Sequence, residues 1–163
     1  MLLKPSLKSS GRSLLDSEAF LLSAITVLAA LLRIYSLTSK SLWMDEGFSI
    51  FMGQTSTANF IHFVRGSEMN MVLYYWLLRG WMHLGNSEFF IKLLSVIPSV
   101  ATAPVIYFLG RRLFDRRLAL IASLLLALHP AHIAYAQEAR GYALAVFLIS
   151  LCSLFFLRTL EQP

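Results

Sequence analysis

Two short stretches set ionisable side chains beside aromatic ones where chemistry could use them. The first is Ser41-Leu42-Trp43-Met44-Asp45-Glu46-Gly47-Phe48-Ser49, with two adjacent carboxylates just beyond a long apolar run. The second is Gln137-Glu138-Ala139-Arg140-Gly141-Tyr142, between two later apolar runs. A carboxylate can act as a general base, taking the proton of an acceptor hydroxyl as that oxygen attacks. An arginine can grip a phosphate through its planar fork of donors. Each stretch also has a plainer reading. Asp45-Glu46 fits an acidic first turn favoured by the helix dipole. Glu138 and Arg140 fit an acid and a base marking the end of a span, paired at little energetic gain.

Other polar residues carry weaker signals. His129 and His132 flank Pro130 and could join a carboxylate around a divalent cation, or serve as interfacial and capping residues. No residue is assigned as a metal ligand on this spacing. Glu68, three residues after Arg65, reads as a helix-surface pair and counts with Arg140 and Tyr142 among candidate substrate contacts. Tyr74, Tyr75 and Trp76 read as an aromatic belt at the headgroup level. No glycine loop for phosphate, Ser-His-Asp set or nucleic-acid module is present in the sequence.

These residues need something to hold them, and composition says what kind of scaffold it is. Of 163 residues, 57% are apolar and 14% charged, with a mean hydropathy of +0.65. An ordinary soluble domain is about 45–50% apolar and about 25% charged. The shift implies a polytopic, all-α membrane protein with one domain. The net charge of +5 comes from basic residues clustered at the ends of apolar runs, which topology explains better than nucleic acid does. The single cysteine, Cys152, excludes an internal disulfide framework and a cysteine-based metal cluster.

Along the chain, residues 1–18 form a polar, basic N-terminal segment, and residues 19–163 hold the membrane domain. Runs of span length, about 20 residues, are expected over 19–36, 89–109, 118–136 and 141–158. Arg33, near the far end of the first run, is expected to snorkel. The loop 37–88 contains Val72 to Leu84, too short for a comfortable span, with a helical apolar stripe at 73, 77, 81 and 84. Charge parity decides its place. The loop Arg111-Arg112-Leu113-Phe114-Asp115-Arg116-Arg117 should be cytoplasmic by the positive-inside rule. With the N-terminus also inside, two spans must separate them, so 72–84 is a juxtamembrane helix. The expected arrangement is four spans plus juxtamembrane helices in the first outer loop. It places Asp45-Glu46 and Glu138 together on the outer face of the plasma (inner) membrane.

The succession SLWMDEGFS, NMVLYYWLLRGWMHLGNSEFFIKLLS and LGRRLFDRRLALIASLLLALHPAHIAYAQEARGYAL resembles the N-terminal part of the C-type glycosyltransferase superfamily. Within it the chain is similar to dolichyl-phosphate-mannose-protein mannosyltransferase-like proteins of bacteria. The resemblance implies a helical membrane enzyme that moves a sugar from a polyprenyl-phosphate donor to a lipid, glycan or protein acceptor, usually with inversion. Its catalytic acid pair corresponds to Asp45 and Glu46, and the acid of its second outer loop to Glu138. Asp45 would then deprotonate the acceptor. Arg140 or a bound divalent cation would stabilise the departing lipid phosphate. Many relatives carry His-Pro-Pro where this chain has Asn70-Met71-Val72, so no role of that histidine is carried over. Relatives have more spans, so the chain is expected to be the front part of a longer enzyme. The other reading is a non-catalytic assembly or lipid-binding subunit that keeps the scaffold. A transporter is disfavoured because the ionisable residues lie at span ends. Expected partners are the polyprenyl-phosphate sugar, membrane lipids and an acceptor the sequence does not name; nucleic acid is not among them.

Overall fold

The computed structural model describes residues 9–39, 42–66 and 70–161. Among them are eight helices and no strand: α1 (Ser9–Ile34), α2 (Met44–Gln54), α3 (Thr57–Gly66), α4 (Val72–Met82), α5 (Glu88–Leu113), α6 (Arg116–Leu128), α7 (Pro130–Ala136) and α8 (Tyr142–Leu160). The chain is all-α.

Three helices are long and apolar enough to cross a membrane: Ser17–Ile34 of α1, Glu88–Leu113 and Tyr142–Leu160. Among the described residues a fourth crossing would need α6 and α7 together, a pair bent by 56°. The sequence led us to expect one run over 118–136; the structure breaks it at His129-Pro130. The physical reason is local. A residue before proline is pushed out of the helical region, and His129 is extended, at φ −66° and ψ 118°. Pro130 then opens α7 at a position where a missing N–H costs nothing. Elsewhere the turns are capped in the usual way. Ser87 Oγ accepts from Phe90 N (3.2 Å) at the start of α5, and Asp115 Oδ1 accepts from Leu118 N (2.9 Å) at the start of α6.

The bundle and its cap are packed by different residues. Inside the bundle many buried positions are small, Ala29, Ala103 and Ala127 with Ser95, Ser99, Thr102 and Ser123, beside a few large side chains such as Arg33, Lys92 and Tyr107. Lipid offers no hydrophobic drive between helices, so close backbone approach and hydroxyl back-bonds hold them. A Cβ at Gly110 would lie 3.0 Å from Ala119 Cα, showing how closely α5 meets α6. Ser123 Oγ donates to Ala103 O across that contact (2.8 Å). The cap is built from large side chains instead. Met52 of α2, Phe60 of α3, and Tyr74, Tyr75, Leu78 and Met82 of α4 pack over Ile91 of α5.

Helix α4 has 11 residues, too few to cross a membrane alone. Its face at Leu73, Trp76 and Leu77 is exposed, whereas Tyr74, Tyr75 and Leu78 are buried. Trp76 therefore suits a headgroup belt, but the two tyrosines are core residues. Their hydroxyls explain the difference, because each has a buried partner to satisfy it: Ser95 for Tyr74 and Ser49 for Tyr75.

Arg33 does not snorkel. It is fully buried, with Nε donating to Ser99 Oγ (2.6 Å) and Nη1 to the carbonyls of Ala29 (2.9 Å) and Ala127 (3.1 Å). Nη2 meets His132 Nδ1 (2.7 Å). An arginine in a membrane bundle is tolerated where every N–H finds an acceptor. The helix break supplies those acceptors.

Candidate active site

The site lies where the N-terminus of α2 meets the turn between α7 and α8. Asp45 and Glu46 fall in the first turn of α2, yet their neighbouring carboxylates have opposite surroundings. Glu46 is buried, only 3% exposed. One oxygen accepts from its own helix cap, Trp43 N (3.0 Å), and the other reaches across to Ala139 N (2.7 Å). Both oxygens are thus engaged by backbone N–H groups, and the side chain staples the first loop to the second. Asp45, one residue earlier, leaves 72% of its side chain exposed and faces Arg140, with Oδ2 3.5 Å from Nη2.

Arg140 is held from several directions. Nη1 donates to the carbonyl of Asp45 (3.3 Å), and Nη2 lies 3.4 Å from the Tyr142 hydroxyl. The guanidinium sits over the Tyr142 ring at 5.6 Å. Its Nε is buried and has no acceptor among the described residues. Burial works against the charge, but the Tyr142 hydroxyl, Tyr75 and Asp45 outweigh it, and the pKa of Arg140 is raised. The guanidinium therefore stays fully charged where a phosphate could meet it.

The backbone of the second loop is anchored from below. Ser95 Oγ donates to Arg140 O (3.1 Å) and pairs with the Tyr74 hydroxyl (2.9 Å). A Cβ at Gly141 would come within 3.1 Å of Tyr74 Cβ, so the turn lies directly on α4. Burial, the largest cause, raises the pKa of Tyr74, with Glu46 adding to it, so the hydroxyl remains a donor. Gln137 Nε2 donates to Arg33 O (3.2 Å) and Tyr35 O (2.9 Å), tying the same loop to the end of α1.

Together these contacts leave a cleft of about 310 Å³ lined by Trp43, Met44, Asp45, Glu46, Glu138 and Arg140. Residues 93 positions apart in sequence thus share one wall. Of the candidate residues, Asp45, Glu46, Glu138 and Arg140 line the cleft, and Tyr142 stacks beneath Arg140. Glu68 lies outside the described residues. His129 Nδ1 accepts from His132 N (3.4 Å) and caps α7, while His132 turns to Arg33. Among the described residues no group of three His, Cys, Asp or Glu is placed to hold a metal ion. Asp45, Glu46 and Glu138 are the three carboxylates that line the cleft.

Three supporting residues have no site role in the reading from sequence alone. Arg79 donates to Met52 O and Thr55 O (2.5 Å) at the C-terminus of α2, where a cation also suits the helix dipole. Ser95 and Arg33 have the roles given above. A basic residue in a short interfacial helix signalled Arg79; nothing in a one-dimensional reading distinguishes Ser95 from the other small residues of α5.

Residues 69–163, more than half of the chain, match the family described as dolichyl-phosphate-mannose-protein mannosyltransferase. The chain belongs to this family. The matched region contains Glu138, Arg140 and Tyr142 and starts beyond Asp45-Glu46. Neither the curated proteins nor the solved structures contain a match to the chain. Family membership and the apolar helices together make it a membrane protein of glycosyltransferase type.

Proposed function

We propose that this chain carries the catalytic face of an enzyme that transfers a hexose from a polyprenyl-phosphate donor to a hydroxyl acceptor, with inversion, at the outer surface of the plasma membrane. The observation that carries the reading is the pairing of an exposed carboxylate, Asp45, with a charged arginine, Arg140, across one cleft. In-line displacement at an anomeric carbon puts the base and the phosphate on opposite faces of the sugar, so the 3.5 Å Asp45–Arg140 pair parts when the donor binds. Asp45 accepts the acceptor's proton as its oxygen attacks. Arg140 meets the phosphate as the glycosidic C–O bond breaks and negative charge grows on the leaving oxygen. Glu46 holds the two loops together instead of exchanging protons, since both of its oxygens are committed. Glu138, on the same wall, orients the acceptor or shares a divalent cation with Asp45.

The scaffold suits a lipid-linked donor. An apolar groove of about 280 Å³ runs between α4, α5 and α8, with Leu77, Leu94 and Leu144 on its walls. Leu144 stands two residues beyond Tyr142 on α8, so a polyprenyl chain in this groove keeps its phosphate near the cleft. The test is sugar transfer from a radiolabelled polyprenyl-phosphate hexose by the full-length protein in membranes, with Asp45→Asn as the comparison. Equal transfer by the two proteins would sink the assignment of Asp45. Transfer by neither, with lipid binding retained, would favour an assembly subunit. Topology has its own measurement. Tags at residues 85 and 115 should report outside and inside respectively, and both inside would refute the outer site.

A further inference from the structure

The break between α6 and α7 sits in the middle of the route from the membrane bundle to the cleft. A broken helix leaves carbonyls without N–H partners, and in lipid such groups must be satisfied by protein. Pro130 has no N–H to offer Leu126, and the extended His129 carries Ala131 N away from Ala127. Leu126 O keeps one donor, His129 N at 3.2 Å, and Arg33 reaches both carbonyls, with Nη1 3.1 Å from Ala127 O and Nη2 3.5 Å from Leu126 O. The same guanidinium binds Ser99 on α5 and His132 one turn into α7. Immediately after α7, Gln137 bonds back to Arg33 O and Tyr35 O, and two residues later Ala139 N meets Glu46. The C-terminal end of α1 therefore joins the two, holding the bend through the Arg33 side chain and the loop through the backbone carbonyls of Arg33 and Tyr35.

We infer that Arg33 and Pro130 form a built-in latch: the proline imposes the bend, Arg33 stabilises it, and the bend places Glu138 and Arg140 opposite Asp45. Arg33 is then a positioning residue with no contact to substrate. Proline alone would leave Ala127 O unmatched in the span, and an unbroken span would deprive Arg33 of that acceptor, leaving it Ala29 O and Ser99 Oγ. Each makes the other tolerable.

The inference rests on the proposed glycosyl transfer only where activity is measured. Arg33→Met, Pro130→Ala and the double variant are compared in the full-length protein by thermal melting and by sugar transfer. A third readout is the distance between spin labels at Phe51→Cys and Tyr135→Cys, both exposed positions, in a Cys152→Ser background. Arg33→Met should melt at a lower temperature and lose at least tenfold in transfer. Adding Pro130→Ala lets the helix straighten and returns Ala131 N to Ala127 O, so the melting temperature should recover. The straightened helix should also move the labels apart from their wild-type separation, and transfer should stay low. Recovery of stability and transfer together would overturn the positioning role. No recovery of stability would overturn the latch. If the wild-type protein transfers no sugar, the proposed function fails, while melting and label distance still decide the latch.

Discussion

Two carboxylates stand at opposite ends of the bundle, and their surroundings differ more than their positions in the sequence suggest. Glu18, near the start of the first span, has 11% of its side chain exposed. It accepts a hydrogen bond from Tyr107 and lies 3.4 Å from Arg111 and 3.5 Å from Arg116. Asp45, at the other end, is largely open and shares its arginine with a tyrosine and a cleft. Glu18 is saturated by its partners, so it fastens α1 to α5 and the arginine loop. Asp45 keeps coordination capacity in reserve. The lesson is that a carboxylate at a membrane surface becomes available for chemistry when its neighbours leave it unsaturated, and its charge alone does not decide that.

The contrast can be broken most forcefully at Asp45. Asp45→Asn should lower transfer by about 10²–10⁴-fold, the usual contribution of a general base, with melting unchanged within about 0.5 kcal/mol. Glu18→Gln should leave transfer within about twofold, and equal losses from the two variants would erase the distinction. Next in size is Arg140→Ala. Loss of a charge-assisted contact of about 1.5–3 kcal/mol should weaken donor binding by roughly 10–100-fold, read as a raised KM for the lipid-linked sugar. A change confined to kcat would mean that Arg140 engages the phosphate only as its charge develops, and an unchanged kcat/KM would remove Arg140 from the phosphate.

Glu46 sharpens the comparison from within the site. Glu46→Gln keeps the shape but can accept only one of the two backbone N–H bonds, leaving a buried donor unmatched at a cost of about 1–3 kcal/mol. Melting should fall along with transfer, whereas Asp45→Asn affects transfer alone. Glu18→Gln should cost about 1 kcal/mol of stability, because its arginine partners are partly exposed and salt-screened. The smallest effect is expected at alkaline pH. Tyr74 keeps its proton in the folded protein to a higher pH than its unfolded value of 10.0. Its contribution is fully present below that value and is lost as pH rises through the folded pKa. Tyr74→Phe should therefore flatten the fall in melting temperature above about pH 10.

Much of the fold was legible because the bilayer imposes a simple rule: long apolar runs become helices, and arginines mark their ends. The bent span was not, since Pro130 near the end of an apolar run fits a terminus, a kink or a break equally well. Tyr74 and Tyr75 illustrate another limit. Aromatic residues in an interfacial helix suit either a lipid belt or a packed cap, and only the hydroxyl partners on α2 and α5 separate the two. Arg33 was placed at the interface from its position in a run, because a buried arginine makes sense only once the freed carbonyls of another helix are known.

The sequence by itself determined that this is a helical membrane protein, which loops share a side, and which residue types could handle a proton and a phosphate. Those follow from hydropathy, charge parity and side-chain chemistry, all of which are local. Only the tertiary structure decided how the two adjacent acids divide their work. Glu46 faces Ala139 and is consumed by backbone N–H groups, while Asp45 turns toward Arg140 and the cleft. One residue of rotation around a helix separates them, about 100° at 3.6 residues per turn. The loop that meets that helix comes from the far end of the chain, and it decides which carboxylate remains free to react.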